Sequence, residues 1–232
     1  MRDHLLFDLL AWATALLTGV AVWHWRLRAA LKRIQASAGS AYFAALSAGS
    51  LLGAYGFGTL NLWLSGVAGP GRSILGALIG AILCVELYKR WRGIRGSTGI
   101  IFAAPLAAAI VIGRLGCYRA GLADPTYGLP STLPWAHDFG DGITRHPVQL
   151  YESASMALVL ALLLFGFLRR SPPALRHGFY WVVGAYGAQR FVWEFFKPYA
   201  QLIGPFNLFH LLAALLCVYA IVMGRANRHA PT

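Results

Sequence analysis

Seven stretches of this chain are apolar over lengths that approach or reach the thickness of a bilayer: Leu5–Trp25, Ala41–Leu64, Ile74–Tyr88, Gly99–Tyr118, Leu150–Leu168, Gly178–Phe196 and Phe206–Met223. A helix of about 20 such residues crosses the hydrocarbon core. The third stretch is short and the second is long and glycine-rich. Only 12% of the 232 residues are charged and 58% are hydrophobic, where a soluble domain carries about 25% charged residues. That much apolar surface cannot all be hidden in one small core, so lipid must solvate part of it. The expectation is an all-α polytopic membrane protein of seven transmembrane helices, with residues 1–232 forming a single transmembrane domain.

The net charge of +12 does not indicate a nucleic-acid partner. Its lysines and arginines fall in short patches between the apolar runs, where they set orientation and meet anionic lipid. Arg26, Arg28, Lys32 and Arg33 follow the first run. Lys89, Arg90, Arg92 and Arg95 follow the third, Arg169, Arg170 and Arg176 the fifth, and Arg225 and Arg228 the last. The other side holds Arg2, Arg72, Arg119, Arg145 and Lys197. The positive-inside bias puts the amino terminus in the periplasm and the carboxyl terminus in the cytoplasm of a bacterial inner membrane. The first run is read as a retained helix, because basic residues follow it rather than a small-residue cleavage site. Residues 119–149 form a periplasmic, interfacial loop rich in proline and glycine, with Trp135, Tyr118 and Tyr127 suited to the headgroup level. Cys84, Cys117 and Cys217 make no disulfide framework, the seven histidines show no metal-ligand spacing, and no cofactor motif is present.

The chemistry concentrates in charged residues inside apolar runs, which are costly there and normally face a bundle interior. Tyr186, Arg190 and Glu194 succeed one another at four-residue spacing on one helix face. Arg114 sits between Gly113 and Gly116 in the fourth run. Two guanidiniums in the outer half of the membrane can grip a phosphate bidentately, and would repel each other without such an anion. A third group, Arg145-His146-Pro147-Val148-Gln149-Leu150-Tyr151-Glu152, leads from the loop into the fifth run. There His146 is a candidate general base and Glu152 gains from the helix dipole.

Three segments carry a resemblance to the prolipoprotein diacylglyceryl transferase family. They are Gly113-Arg-Leu-Gly with the following loop through Pro125-Thr and Leu133-Pro-Trp, then Gly140-Asp-Gly with Arg145 to Glu152, and Tyr186-Gly-Ala-Gln-Arg190-Phe-Val-Trp-Glu194. The resemblance implies an inner-membrane enzyme that moves the diacylglyceryl group of phosphatidylglycerol to the thiol of a lipobox cysteine in a prolipoprotein signal peptide. It makes Arg114 and Arg190 the essential arginines and Tyr186 and Glu194 their partners. Gln149, Tyr151 and Glu152 would line the entrance, with Arg145, Gly113 and Gly116 in the substrate site. The chain departs from the family at Leu75, where a histidine usually stands. It departs again at Cys117 for asparagine and at Ala120-Gly121-Leu122 for Asn-Gly-Glu. With that histidine absent, His146 is the expected base. A paralogue using the same lipid with another acceptor, and a phospholipid-binding or lipid-moving protein without bond making, stand as alternatives.

Overall fold

The computed structural model describes residues 2–227, with side chains from Leu5 onward. Seven α-helices follow one another: α1 Arg2–Val22, α2 Arg28–Leu64, α3 Ile74–Trp91, α4 Ile100–Ala120, α5 Val148–Leu168, α6 Pro172–Glu194 and α7 Leu208–Ala226. Each coincides with one of the apolar runs to within three residues, apart from the amino-terminal extensions of α2 and α6. Two short hairpins interrupt them, β1 His137–Asp138 with β2 Thr144–Arg145, and β3 Gln201–Ile203 with β4 Phe206–Asn207. Arg228 lies outside the described residues, as does the side chain of Arg2.

The basic segment after the first run is helical, not a loop. A π-helical turn at Trp23–Leu27 leads directly into α2, which breaks once at Gly39 (φ 68°, ψ −179°). That left-handed φ suits glycine alone. Between the two bends, Leu27, Ile34 and Ala38 are buried while Arg28, Lys32 and Arg33 are exposed. Helical spacing of these apolar residues makes residues 28–38 an amphipathic helix suited to lying along a membrane surface.

Four stretches are long and apolar enough to cross a membrane: Leu5–Leu64, which contains both α1 and α2, then Ile100–Ala123, Val148–Leu168 and Leu208–Ala226. The α3 and α6 helices each carry three charged residues, Glu86, Lys89 and Arg90 on α3 and Arg176, Arg190 and Glu194 on α6. Large apolar side chains such as Trp12, Leu17, Leu52, Leu158 and Leu215 point outward and are more than half exposed, as expected where lipid is the solvent.

The closest helix packing joins α2 to α3 and α1 to α4, with α5 and α6 flanking α4 and α7 along α6. Gly49 and Gly53 on α2 face Gly80 and Gly76 on α3. A Cβ at Gly49 or Gly80 would collide with the other's carbonyl oxygen. Small residues four apart allow this approach, and dispersion then holds the pair together in lipid. Gly80→Leu is expected to lower stability by about 3 kcal/mol, the upper end of overpacking costs. Thermal unfolding in detergent measures this, and a wild-type melting temperature would rule out the close approach. Pro105 inside α4 leaves the Ile101 carbonyl without its helical donor. The Trp23 indole donates to that carbonyl at 2.7 Å and so ties the π turn to α4.

Candidate active site

Three helices deliver charged side chains to one buried point. Glu152, one turn into α5, is 0% exposed and sits between the guanidiniums of Arg114 from α4 and Arg190 from α6. Arg114 contacts one carboxylate oxygen through Nε, and Arg190 donates from Nη1 to the other at 2.5 Å. Lys197, three residues beyond α6, donates to that second oxygen at 2.5 Å. Arg190 also meets Glu194 at 2.8 Å through Nη2. Asn207 donates from Nδ2 to Glu194 at 3.5 Å, and Arg190 stacks 5.5 Å from the centre of the Phe209 ring. Tyr186 is fully buried one turn below Arg190, within electrostatic reach of both arginines.

Each cation is long enough to reach the centre from its own helix, and each is anchored by a neighbour. The i, i+4 spacing holds Glu194 against Arg190. The bond from Lys197 to Glu152 crosses from the loop after α6 to α5. Arg114 is 5% exposed, so it does not snorkel to the surface. Glu152 supplies the anion that two facing arginines require. Glu152 and Gln149 are both fully buried, in the first turns of α5. Neither polar atom of the Gln149 side chain has a hydrogen bond among the described residues. A buried, unsatisfied amide costs about 1–3 kcal/mol, which a ligand at this point would offset.

Two residues of the site escaped the sequence reading. Lys197 stands there only among the basic residues of the periplasmic side, and its side chain is 0% exposed. Its three-residue spacing from Glu194 was the available signal. Asp124, buried in the loop after α4, acts on both Arg114 and Cys117. It places a carboxylate near Arg114 two positions after Leu122, where the family motif has its glutamate. Cys117 lies 3.9 Å from Arg114 Nη1 through its sulfur.

The remaining expected residues form other groups. Gly113 lines an apolar cavity of about 390 Å³ between α1, α2, α3 and α4. Gly116 lies under Phe7 of α1, where any Cβ would strike that ring, so it serves helix packing. Leu75 is 1% exposed in the apolar core. Arg145 pairs with Asp141 through two bonds of 2.7 Å and lies over Tyr127. The Arg145 bond holds the Asp141 carboxyl below its ordinary value. Gly140 and Gly142, with Asp138 accepting from three successive amides, build the tip of this hairpin.

His146 and Tyr151 belong to an aromatic group outside the charged cluster. His146 Nδ1 is 3.4 Å from the Tyr151 hydroxyl, which accepts from the Trp135 indole at 2.8 Å, and its ring packs on Phe196. A direct general base is worth about 10²–10⁴ in rate. His146→Asn is expected to lower the rate of any reaction at the charged cluster by no more than about tenfold. A larger fall, in an assay of initial rate, would place proton transfer on this ring.

The profile of the prolipoprotein diacylglyceryl transferase family matches residues 9–225. Among curated proteins, the phosphatidylglycerol–prolipoprotein diacylglyceryl transferase of Methylococcus capsulatus is 36% identical over 172 residues, covering 70% of this chain and 62% of that one. The enzyme of the same name from Bordetella avium is 39% identical over 147 residues, 62% of this chain and 52% of that one. That from Geobacter sulfurreducens is 36% identical over 160 residues, 66% of this chain and 60% of that one. The chain thus spans about six tenths of the length of the relatives it matches. No solved structure matches it. With its profile match running almost end to end, the chain belongs to the prolipoprotein diacylglyceryl transferase family.

Proposed function

We propose that this protein transfers the diacylglyceryl group of phosphatidylglycerol to the thiol of a prolipoprotein lipobox cysteine, at the periplasmic face of the bacterial inner membrane. In this reading all seven helices span, with the amino terminus periplasmic and the carboxyl terminus cytoplasmic. The observation that carries it is the convergence of Arg114 and Arg190 on one buried anion from two different helices. The names of the relatives supply the donor and the acceptor.

The chemistry requires little besides charge stabilisation. The thiolate sulfur attacks the diacylglyceryl carbon, a carbon–sulfur bond forms, and the carbon–oxygen bond to phosphate breaks. Glycerol phosphate leaves with the electron pair, and the thiol proton passes to a base or to the departing phosphate. Negative charge grows on the phosphate oxygens, and fixed donors in a dry site stabilise such charge by about 2.7–4 kcal/mol each. The phosphate takes the guanidiniums from Glu152, and Lys197 retains that carboxylate. Nearby guanidiniums also favour the attacking thiolate. Gln149, next to Glu152 on α5, offers an amide to the glycerol hydroxyls or the ester oxygens.

The seating of Leu75 in the core favours a second reading, a phospholipid-binding protein without bond making. Complementation of a strain depleted of its own diacylglyceryl transferase separates the two, with lipoprotein mobility as the readout. Restored lipidation is expected. Accumulation of unmodified prolipoprotein, with this protein present in the membrane, would favour the binder.

A further inference from the structure

A second cavity, of about 640 Å³, lies at the opposite end of the bundle from Glu152. It is enclosed by the amphipathic segment 28–38, the loop between α3 and α4, and the start of α6. Arg176 on its wall and Arg190 in the charged cluster are separated by fourteen residues of one helix, about 21 Å. In the seven-span reading proposed above, the two sites face opposite leaflets.

Guanidiniums from three separate elements line it, Arg33, Arg95 and Arg176, together with His177, and no carboxylate is among the described residues of its wall. Arg33 and Arg95, without an ion pair among the described residues and gathered in one concave site, call for an anion. A neutral donor stands beside them. The Thr98 hydroxyl oxygen accepts from Tyr42 at 2.9 Å, which leaves its own hydrogen to donate.

The rest of the wall is hydrocarbon, from Ala30, Ile34, Ile94, Ile100 and Leu175. Ser97 and Thr98 form a shared boundary with the apolar cavity that reaches Gly113. A basic site bounded by hydrocarbon suits a headgroup that continues into an acyl glycerol. We propose that this cavity binds the phosphate of an anionic phospholipid from the leaflet opposite the reaction site. The proposal stands apart from the transfer reaction, since none of its residues belongs to the Glu152 cluster.

Delipidated protein in detergent, titrated with phosphatidylglycerol, phosphatidylcholine or inorganic phosphate and followed by native mass spectrometry, tests it. A variant carrying Arg33→Gln, Arg95→Gln and Arg176→Gln is expected to bind one phosphatidylglycerol fewer. Its remaining affinity at the lost site falls about tenfold or more, and rising salt weakens the same site in the wild type. Phosphatidylcholine should not fill it. Glycerol phosphate release by this variant should stay within twofold of wild type, so failure here and failure of the transferase reading are distinguishable. If the triple variant does not accumulate, Arg95→Gln is read alone, since its side chain is exposed on the loop, with a threefold loss expected. Equal phosphatidylglycerol binding by wild type and variant overturns the site. Arginine-dependent binding of inorganic phosphate but not of phosphatidylglycerol overturns the lipid as its occupant.

Discussion

Arg190→Lys is expected to abolish diacylglyceryl transfer while the protein still reaches the membrane in normal amounts. Arginine at this position uses two nitrogens at once, Nη1 on Glu152 at 2.5 Å and Nη2 on Glu194 at 2.8 Å. Lysine preserves the charge but presents one compact ammonium on a flexible stem, which cannot reproduce the planar fork. Losing one well-placed donor to the leaving phosphate costs about 10²–10³ in kcat, and misplacing Glu194 and Glu152 with it adds to the loss. Immunoblotting of membranes measures accumulation, and lipoprotein mobility measures transfer. Full complementation by this variant would separate the arginine from catalysis.

Glu152→Ala strikes stability as well as activity. It leaves Arg114, Arg190 and Lys197 facing one another with their shared counter-ion removed. Breaking a buried ion pair from one side typically costs about 3–5 kcal/mol, and here three cations are stranded together. The expected outcome is weak accumulation and a melting temperature in detergent lowered by roughly 10 °C or more, the order that such a loss produces in a domain of this size. Adding Lys197→Met removes one of the stranded charges and should recover part of the stability without recovering transfer. If Glu152→Ala melts with wild type and the second change has no effect, the buried network is not what holds α4, α5 and α6 in register.

Helix number and position were legible because each run announces itself locally, through length and apolar content. The amphipathic stretch 28–38 was not, since its arginines resemble a solvated loop until Leu27, Ile34 and Ala38 are seen packing on the bundle. The importance of Arg114 and Arg190 also showed in the sequence, because a charge within an apolar run demands a partner. The identity of that partner did not. Glu152 stands one turn from a helix start, where a carboxylate usually meets water and the helix dipole, and only the packing of α5 between α4 and α6 turns it inward. Lys197 was hidden for the same reason, since its loop folds back over α5. Arg145 pairs with Asp141 at the β1–β2 hairpin, where four-residue spacing alone predicts no contact because that rule belongs to helices. Gly116 shows how a motif glycine can answer to a neighbouring ring, Phe7, that no local pattern foretells.

The most direct measurement uses purified protein, phosphatidylglycerol radiolabelled in its headgroup, and a lipobox peptide with a free cysteine. Labelled glycerol phosphate should appear in step with thioether-linked peptide, and both should vanish together when Arg114 or Arg190 is replaced by lysine. Lipid that stays intact when the wild-type protein meets the peptide, or release that persists in both lysine variants, would contradict catalysis by paired guanidiniums at the leaving phosphate.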